Sequence, residues 1–228
     1  NFMDTLFTVV GALHPEPQHG RRGLPSDAIS WDFNAPDAIA GVFGGCRFHN
    51  AAGESELGGL AAFALRAIPG WGNAHARSVR QLWGHSLHVG AIGERLPNRG
   101  SRVDLDPGER DRFGMPLARI ASVLGDSDLA RLRFMVRKSQ ELLAASGAER
   151  VYETYSSWDW FSATHVFGTC RMGNDPSSSV VDAFGRSHRW RNLWIADASV
   201  FPSSGGGEAP SLTIQALALR TAERIRQL

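Results

Sequence analysis

The feature that most constrains the fold is a succession of three elements near the C-terminus. Residues 192–196 form a short, almost continuous apolar run, which predicts a strand buried on both faces. A glycine-rich loop follows at residues 203–207, and from Pro210 onward apolar residues repeat at helical spacing. Ligands of α/β sheets bind where strands end and helices begin, so this succession predicts a ligand site.

The rest of the sequence alternates between strand and helix patterns. Apolar runs and alternating patterns predict strands at residues 6–10, 29–33, 85–91 and 101–105, with a chain-reversing turn at Asp106-Pro107-Gly108. Helical spacing predicts helices at residues 54–68 and 73–84, and a third that starts near Asp126 or Ser127 and ends at Gly147. This mixture predicts a protein of the α+β class.

Composition argues against several classes of protein. The chain has 24 basic and 23 acidic residues and a formal charge of +1, which argues against nucleic acid as a partner. It has no run of about 18 apolar residues, so it encodes no membrane span. Two cysteines, Cys46 and Cys170, are too few for a disulfide framework. None of these features assigns a cellular localisation.

Common motifs for metal, nucleotide and hydrolase chemistry are missing from the sequence. His85 and His88 are three residues apart, and side chains at that spacing in a strand face opposite sides, so we predict no metal site. The segment Gly70–His75 lacks the third glycine of a dinucleotide-binding turn. No Gly-x-Ser-x-Gly elbow is present, which argues against a hydrolase.

His165 is the residue best suited to catalysis. It follows an aromatic patch of Trp158, Trp160 and Phe161 and precedes a glycine-containing turn. An imidazole titrates near neutral pH and can take a proton from an alcohol, while apolar walls would exclude water. Taken alone, however, the pattern is explained better by a hydrogen-bonded histidine in a core.

Longer patterns change that interpretation. The string His165-x-x-Gly-Thr-Cys-Arg-Met-Gly173 is followed by Ala196-Asp-Ala-Ser199 and by Pro210-Ser-Leu-Thr-Ile214. Together they closely resemble the C-terminal signature of the glucose–methanol–choline (GMC) oxidoreductase family. Earlier segments also resemble that family, so the resemblance covers most of the chain; these are residues 1–4, 103–106 and 111–120.

The resemblance implies a flavoprotein. The family binds FAD in an N-terminal Rossmann-type domain, so we expect this chain to be the C-terminal part of such an enzyme. It would then contain an antiparallel substrate-domain sheet flanked by helices, with a C-terminal strand and helix that complete the FAD-binding domain. The expected divisions are a loop-rich linker (1–50), a substrate-binding domain (51–160), and a catalytic and FAD-closing segment (161–228).

The resemblance also implies roles for individual residues. His165 matches the histidine that deprotonates the substrate hydroxyl beside the flavin, so we expect it to be the catalytic base. Asp197 and Ala198 match the pair that approaches the ribityl and pyrophosphate groups of FAD. The helix after Pro210 would direct its free amides towards the flavin. The cofactor contacts expected at that end are Ala209, Pro210, Ser211 and Thr213.

Ala209 departs from the family pattern. Many members have asparagine or histidine directly before this proline, where its side chain hydrogen-bonds the substrate oxygen beside the catalytic histidine. Three interpretations stay open for this catalytic position: Glu208 replaces the missing group, another segment supplies it, or His165 works alone.

The implied function is transfer of a hydride to FAD from a CH–OH group of a small-molecule alcohol, sugar, polyol or sugar acid. Residues 210–220 are most similar to bacterial dehydrogenases, which favours a quinone or haem protein over oxygen as electron acceptor. Two alternatives are a catalytically silent flavin-binding relative, suggested by Ala209, and a cofactor-free structural module, suggested by the missing nucleotide turn. The chain alone is expected to be inactive and to bind FAD weakly.

Overall fold

The computed structural model describes residues 1–20, 22, 28–51, 58–161, 165–207 and 209–228. Its strands are β1 (Met3–Asp4), β2 (Leu6–Leu13), β3 (Ile29–Ser30), β4 (Cys46–Asn50), β5 (Ser86–Gly93), β6 (Arg102–Arg110), β7 (Pro116–Ala121), β8 (Arg150–Ser156) and β9 (Val166–Phe167). Its helices are α1 (Gly59–Arg66), α2 (Gly72–Leu82), α3 (Asp126–Ala145) and α4 (Ser211–Arg226), with a 3₁₀ turn at Ala198–Val200.

The chain divides into two compact units, each made of segments that are distant in the sequence. The first unit contains residues 1–5, 94–128 and 162–228, and the second contains residues 6–93 and 129–161. The predicted catalytic segment therefore lies in the first unit.

A five-stranded antiparallel sheet organises the second unit, in the order β3-β4-β5-β2-β8. Side chains alternate between the two faces of a strand, and the side chains on each face of β2 pack against different helices. Val10 and Ala12 pack with Leu143 of α3. Leu13 packs with Phe63 of α1 on the opposite face. Both faces of β2 are thus buried here, which explains its nearly continuous apolar sequence.

The first unit is built around one cluster of buried apolar side chains. In the short sheet of β1 and β9, Met3 lies opposite Phe167. Ile214 and Leu217 project from one face of α4 onto the cluster. The buried members are Met3, Phe167, Val181, Ala198, Val200 and Phe201. Hydrophobic burial therefore joins the first residues of the chain to its C-terminal helix.

The chain does not reverse at residues 106–108, so the turn predicted there was wrong. β6 continues to Arg110, and the chain reverses afterwards, at a turn in which the Asp111 carboxylate accepts hydrogen bonds from two backbone N–H groups (2.8 and 2.9 Å). The Asp106 carboxylate also accepts two backbone N–H groups, both at 2.9 Å. Those bonds accompany a shift in strand register instead of a reversal, because a local side-chain turn can form a bulge within a hairpin.

Residues 192–196 do not form the predicted strand, which is a second correction. Among the described residues, this segment has only an isolated bridge between Arg186 and Trp194. Leu193 is exposed, while Ile195 packs against the core of the first unit. A short apolar run does not distinguish a strand buried on both faces from an extended segment packed on one side, so the pattern was ambiguous.

Other predicted elements are confirmed, with different ends. α3 begins at Asp126, one of the two predicted starts, and α4 begins at Ser211, directly after Pro210. The strands predicted at 6–10, 85–91 and 101–105 are longer than expected, whereas the strand predicted at 29–33 is reduced to Ile29–Ser30. The start predicted for α1, residue 54, lies outside the described residues.

The mixed α/β architecture with antiparallel sheets agrees with the predicted α+β class. The functional divisions after residues 50 and 160 stay predictions. Across the described ranges, no helix combines the length and the apolar character needed to cross a membrane.

Candidate active site

A cavity in the first unit brings together four of the predicted site residues. His165, Asp197, Ala198 and Pro210 line this cavity, whose volume is about 470 Å³. The other lining residues are Phe2, Val103, Val166, Phe167, Thr169, Ser199 and Ile214. Sites for small ligands and cofactors commonly enclose about 300–1,000 Å³. The cavity therefore has a suitable size for a ligand between the histidine and the start of α4.

Backbone hydrogen bonds hold the histidine segment against the 3₁₀ turn. The N–H groups of residues 168, 170 and 172 donate to the carbonyl oxygens of residues 198, 199 and 200, at 3.3, 2.8 and 2.7 Å. Gly168 in this segment has a φ of +85°, which favours glycine, and it lies so close to the first residue of the chain that a Cβ atom there would collide with the carbonyl oxygen of Asn1. The two sequence strings of the family signature thus meet through main-chain contacts.

Asp197 caps the 3₁₀ turn at the cavity wall. Its Oδ1 atom accepts a hydrogen bond from the N–H of Ser199 at 2.8 Å. A carboxylate has about four acceptor positions on its two oxygens. The remaining positions can accept hydrogen bonds from the hydroxyl groups of a bound ligand.

The N-terminus of α4 also lies at the cavity. Pro210 is the N-cap residue and makes no side-chain capping bond, and the first intrahelical bond runs from the Ile214 N–H to the Pro210 oxygen at 2.9 Å. The N–H groups of residues 211–213 therefore have no carbonyl partner in the helix. The helix dipole makes this end positive, so it favours an anionic or electron-rich ligand group.

The glycine-rich loop before α4 is anchored by Ser204. The Ser204 hydroxyl accepts a hydrogen bond from the Arg95 N–H and donates one to the Arg95 carbonyl oxygen, both at 3.0 Å. Gly205 and Gly206 follow with positive φ angles of 68° and 78°. This backbone turn leads the chain to the start of α4.

A second cavity, of about 250 Å³, lies beneath the loop and contains the position that departs from the family pattern. Ala209, Pro210 and Thr213 line it, so Pro210 borders both cavities. Ser211 is exposed at the first residue of α4. Glu208 lies outside the described residues.

Thr5 is a contact of His165 that we did not predict. Its N–H donates to the His165 carbonyl oxygen at 3.2 Å, and its hydroxyl lies 3.3 Å from Nδ1 of the imidazole. Phe2 and Val103 are further unpredicted residues, and both line the cavity with His165. The resemblance of residues 1–4 and 103–106 to the family was the only sequence signal near them.

The two histidines considered for metal binding have other partners, in the second unit. His88 Nε2 lies 3.1 Å from Glu153 Oε1 and 2.7 Å from the Tyr152 hydroxyl, whereas His85 Nδ1 contacts a backbone oxygen. Burial alone would raise the pKa of Glu153, but hydrogen bonds from His88 and Arg66 hold it below its ordinary value. Within the described ranges, no group of three or more His, Cys, Asp or Glu side chains could hold a metal ion.

Comparison with protein families gives a match to the model described as GMC oxidoreductase over residues 97–218, more than half of the chain. The chain belongs to the GMC oxidoreductase family. The matched residues include His165, Asp197 and Pro210, so this family region contains the described cavity's main polar elements.

Curated members of the GMC family are similar to this chain over part of their length. A 6'''-hydroxyparomomycin C oxidase from Streptomyces lividus is 43% identical over 61% of this chain and 25% of its own length. The gluconate 2-dehydrogenase flavoprotein of Pantoea cypripedii is 29% identical over 86% of this chain and 33% of its own length. The chain thus spans between a quarter and a third of these GMC relatives.

Solved GMC-type structures have the same fold. A pyridoxine 4-oxidase from Mesorbium loti superimposes with a TM-score of 0.63 and 18% identity, over 100% of this chain and 43% of the other. A formate oxidase variant from Aspergillus oryzae RIB40, studied for the modification of its FAD, gives 0.65 at 16% identity, over 100% and 47%. GMC relatives and structural neighbours are FAD-containing flavoproteins.

Proposed function

We propose that this chain is the C-terminal part of an FAD-dependent oxidoreductase that oxidises a CH–OH group, with His165 as the base. One observation carries the proposal. His165 and the N-terminus of α4 line the same cavity, so a group that removes a proton faces a helix end that favours negative charge. The chain's share of its relatives' length, a quarter to a third, supports its being part of a longer enzyme.

The residues present fit a flavin. The cavity has the volume of a cofactor site, and it is lined by Pro210, which directly precedes three N–H groups without helical partners, those of residues 211–213. Asp197 supplies acceptor positions for ligand hydroxyl groups. We infer that Asp197, Ala198, Pro210, Ser211 and Thr213 would hold FAD, and that residues 192–200 and α4 complete its Rossmann-like domain.

In the proposed reaction, His165 takes the proton of the substrate hydroxyl. When bound, FAD supplies the two-electron acceptor that receives the hydride from the alcohol carbon, so that the C–H and O–H bonds are replaced by a carbonyl. Phe2, Val103 and Ile214 form apolar walls beside His165 and exclude water from this proton transfer.

The positive end of α4 would stabilise the negative charge that the bound cofactor gains on reduction. The N–H groups of Ser211 and Thr213 are part of that helix end. Because the backbone fixes them before the reaction, they require little reorganisation when the charge develops.

Among substrates, we propose a sugar, polyol or sugar acid. Relatives of this chain include a 6'''-hydroxyparomomycin C oxidase, a gluconate 2-dehydrogenase flavoprotein and a 2-methyl-1,2-propanediol dehydrogenase. Both oxidases and dehydrogenases occur among them, so the electron acceptor, whether quinone, haem protein or oxygen, is to be determined by assay.

A catalytically silent flavoprotein is the second candidate, and Ala209 is the observation that favours it. Alanine has no polar group for the substrate oxygen, and it borders the second cavity, where the lining residues that the structure describes include no carboxylate, imidazole or amide side chain. If His165 works alone, the oxidation needs no side-chain donor at this position.

The test uses the intact FAD-loaded enzyme of which we propose this chain to be a part. It is mixed anaerobically with gluconate, simple polyols and aminoglycosides, and the loss of absorbance of the oxidised flavin is measured. We expect one of these substrates to bleach the flavin. His165→Ala should slow the reduction by about 100-fold or more, which is the usual scale for a positioned base. His188→Ala, which changes an exposed histidine outside the cavity lining, should leave the rate unchanged. Bound FAD that no alcohol reduces would instead support the silent relative.

A further inference from the structure

Two hydrogen bonds connect Thr5 to the imidazole-bearing residue. The Thr5 N–H donates to the carbonyl oxygen of His165 at 3.2 Å, and the two side chains meet at 3.3 Å, between Oγ1 and Nδ1. The backbone bond fixes the separation of the two chain segments. The side-chain bond therefore acts on the orientation and protonation of the ring.

The surroundings hold the Thr5 hydroxyl in place. Thr5 is only 4% exposed, and its branched Cβ restricts the χ1 angle. Asp4 pairs with Val166 in the sheet of β1 and β9 and forms a buried ion pair with Arg95. The Arg95 guanidinium also donates to the carbonyl oxygen of Val123 at 2.8 Å. Thr5 directly follows this fixed strand, and its burial keeps the hydroxyl away from solvent.

The chemistry of a base requires one tautomer of His165. A neutral imidazole carries its hydrogen on one ring nitrogen and accepts a proton on the other. If Nδ1–H donates to the Thr5 oxygen, Nε2 is the accepting nitrogen. If the hydroxyl instead donates to Nδ1, the hydrogen lies on Nε2, and that nitrogen cannot take a proton from the substrate.

We propose that Thr5 is a positioning residue for His165, whose hydroxyl accepts the Nδ1 hydrogen and so keeps Nε2 available as the base. This inference rests on the proposed function, because it concerns the same proton transfer. A contact of about 3.3 Å before substrate binds is compatible with such a role, since hydrogen bonds of this kind often shorten in the reactive complex.

The test compares variants of the FAD-loaded enzyme that differ in one hydroxyl. Thr5→Val removes the hydroxyl and keeps the branched shape, and Thr5→Ser keeps the hydroxyl. Thr8→Val is the matched control, because Thr8 is fully buried and its hydroxyl has no hydrogen-bond partner among the described residues. The measurements are the His165 tautomer from ¹⁵N chemical shifts, the anaerobic rate of flavin reduction, and the urea unfolding midpoint.

We expect Thr5→Val to increase the Nε2–H tautomer of His165 and to reduce the flavin-reduction rate by about tenfold, a part of the ~10²–10⁴ that a positioned base contributes. KM should change little, because the substrate-contacting groups remain. Thr5→Ser and Thr8→Val should keep the wild-type tautomer and rate. If Thr5→Val does not load FAD, Thr5→Ala is measured in its place with the same expectation.

A wild-type tautomer in Thr5→Val would overturn the inference, and so would a slower rate without a change of tautomer, which indicates a structural role only. An unchanged rate in His165→Ala would overturn the proposed function instead. In that case the ¹⁵N measurement still decides whether Thr5 sets the tautomer.

Discussion

Ser204 and Arg95 are 109 positions apart in the sequence, yet one hydroxyl satisfies both backbone groups of the arginine. The hydroxyl accepts from the N–H and donates to the carbonyl, each at 3.0 Å and each buried. The connection joins the strand-like segment after β5 to the loop that precedes α4. A single side-chain oxygen thus anchors the loop before α4, while Ile214 and Leu217 pack the helix itself onto the core of the first unit.

Ser204→Ala should destabilise the first unit by about 1–3 kcal/mol, because it leaves a buried N–H and a buried carbonyl oxygen without partners. Urea unfolding monitored by fluorescence measures the change. The control is Ser203→Ala, an exposed neighbour, for which we expect a change within about 0.5 kcal/mol. Equal losses in the two variants would contradict the anchoring role of Ser204.

Gly168→Ala should lower stability more than Gly114→Ala. Both glycines have positive φ, 85° and 80°, so both variants carry a similar backbone cost of about 1–2 kcal/mol. Only at Gly168 does an added Cβ meet other atoms, the Asn1 carbonyl and the Met3 side chain, whereas it meets nothing within 4 Å at Gly114. The difference between the thermal unfolding temperatures of the two variants measures the cost of the steric collision at Gly168. Equal unfolding temperatures would show that the close approach at Gly168 is unimportant.

Glu153→Gln should destabilise the protein at pH 7 and have less effect at pH 3. The pKa of Glu153 is held below its ordinary value of 4.5, because bonds from His88 and Arg66 outweigh burial. A depressed pKa stabilises the native state above the unfolded value and loses that effect as pH falls through the native value. Urea midpoints at pH 7, 5 and 3 test this.

The control for that experiment is Glu141→Gln, an exposed partner of Lys138. The hydrogen bond from Lys138 also lowers the pKa of Glu141, but solvent screens an exposed ion pair, so it contributes little to stability. A pH-independent loss in Glu153→Gln would show that its charge is unimportant for stability.

Phe63→Ala should destabilise the second unit by about 3–5 kcal/mol, because truncating a fully buried aromatic leaves a cavity. The ring of Phe63 packs edge-on against Trp83, with centroids 5.2 Å apart. Leu65→Ala, in the same helix but 85% exposed, should change the unfolding free energy by less than about 0.5 kcal/mol. Denaturant unfolding compares the two, and a similar loss in both would contradict the assigned burial of α1.

Sequence reasoning was most successful where a local pattern determines the structure. The spacing of Leu132, Val136 and Leu143 predicted α3, with a start near Asp126 or Ser127, because an amphipathic helix leaves its period in the sequence. Pro210 marked the start of α4 within one residue. The family string around His165 located the residue that lines the cavity, although it did not show how the ring is held.

The remaining features depend on contacts that leave no local pattern. Thr5 lies in the sequence 160 positions from His165, and β1 is only two residues long, so neither spacing nor periodicity identifies the contact. The turn predicted at Asp106 was wrong as a reversal, because whether such a segment forms a bulge or a reversal depends on strand pairing farther along the hairpin. For residues 192–196, the apolar composition did not show whether one face of the segment or both would be buried.

The pairing of β1 with β9 has a consequence for biosynthesis. The residues that pair, Met3 with Phe167 and Asp4 with Val166, leave the ribosome at widely different times. Closing so long a loop is slow compared with forming local helices, and its entropic cost precedes the contacts that offset it. We therefore expect the β6–β7 hairpin and the helices to fold early, while the cavity with His165 forms only after translation has passed Ile214, the last residue that lines it. Thr5 is therefore synthesised 160 residues before the histidine that we propose it positions.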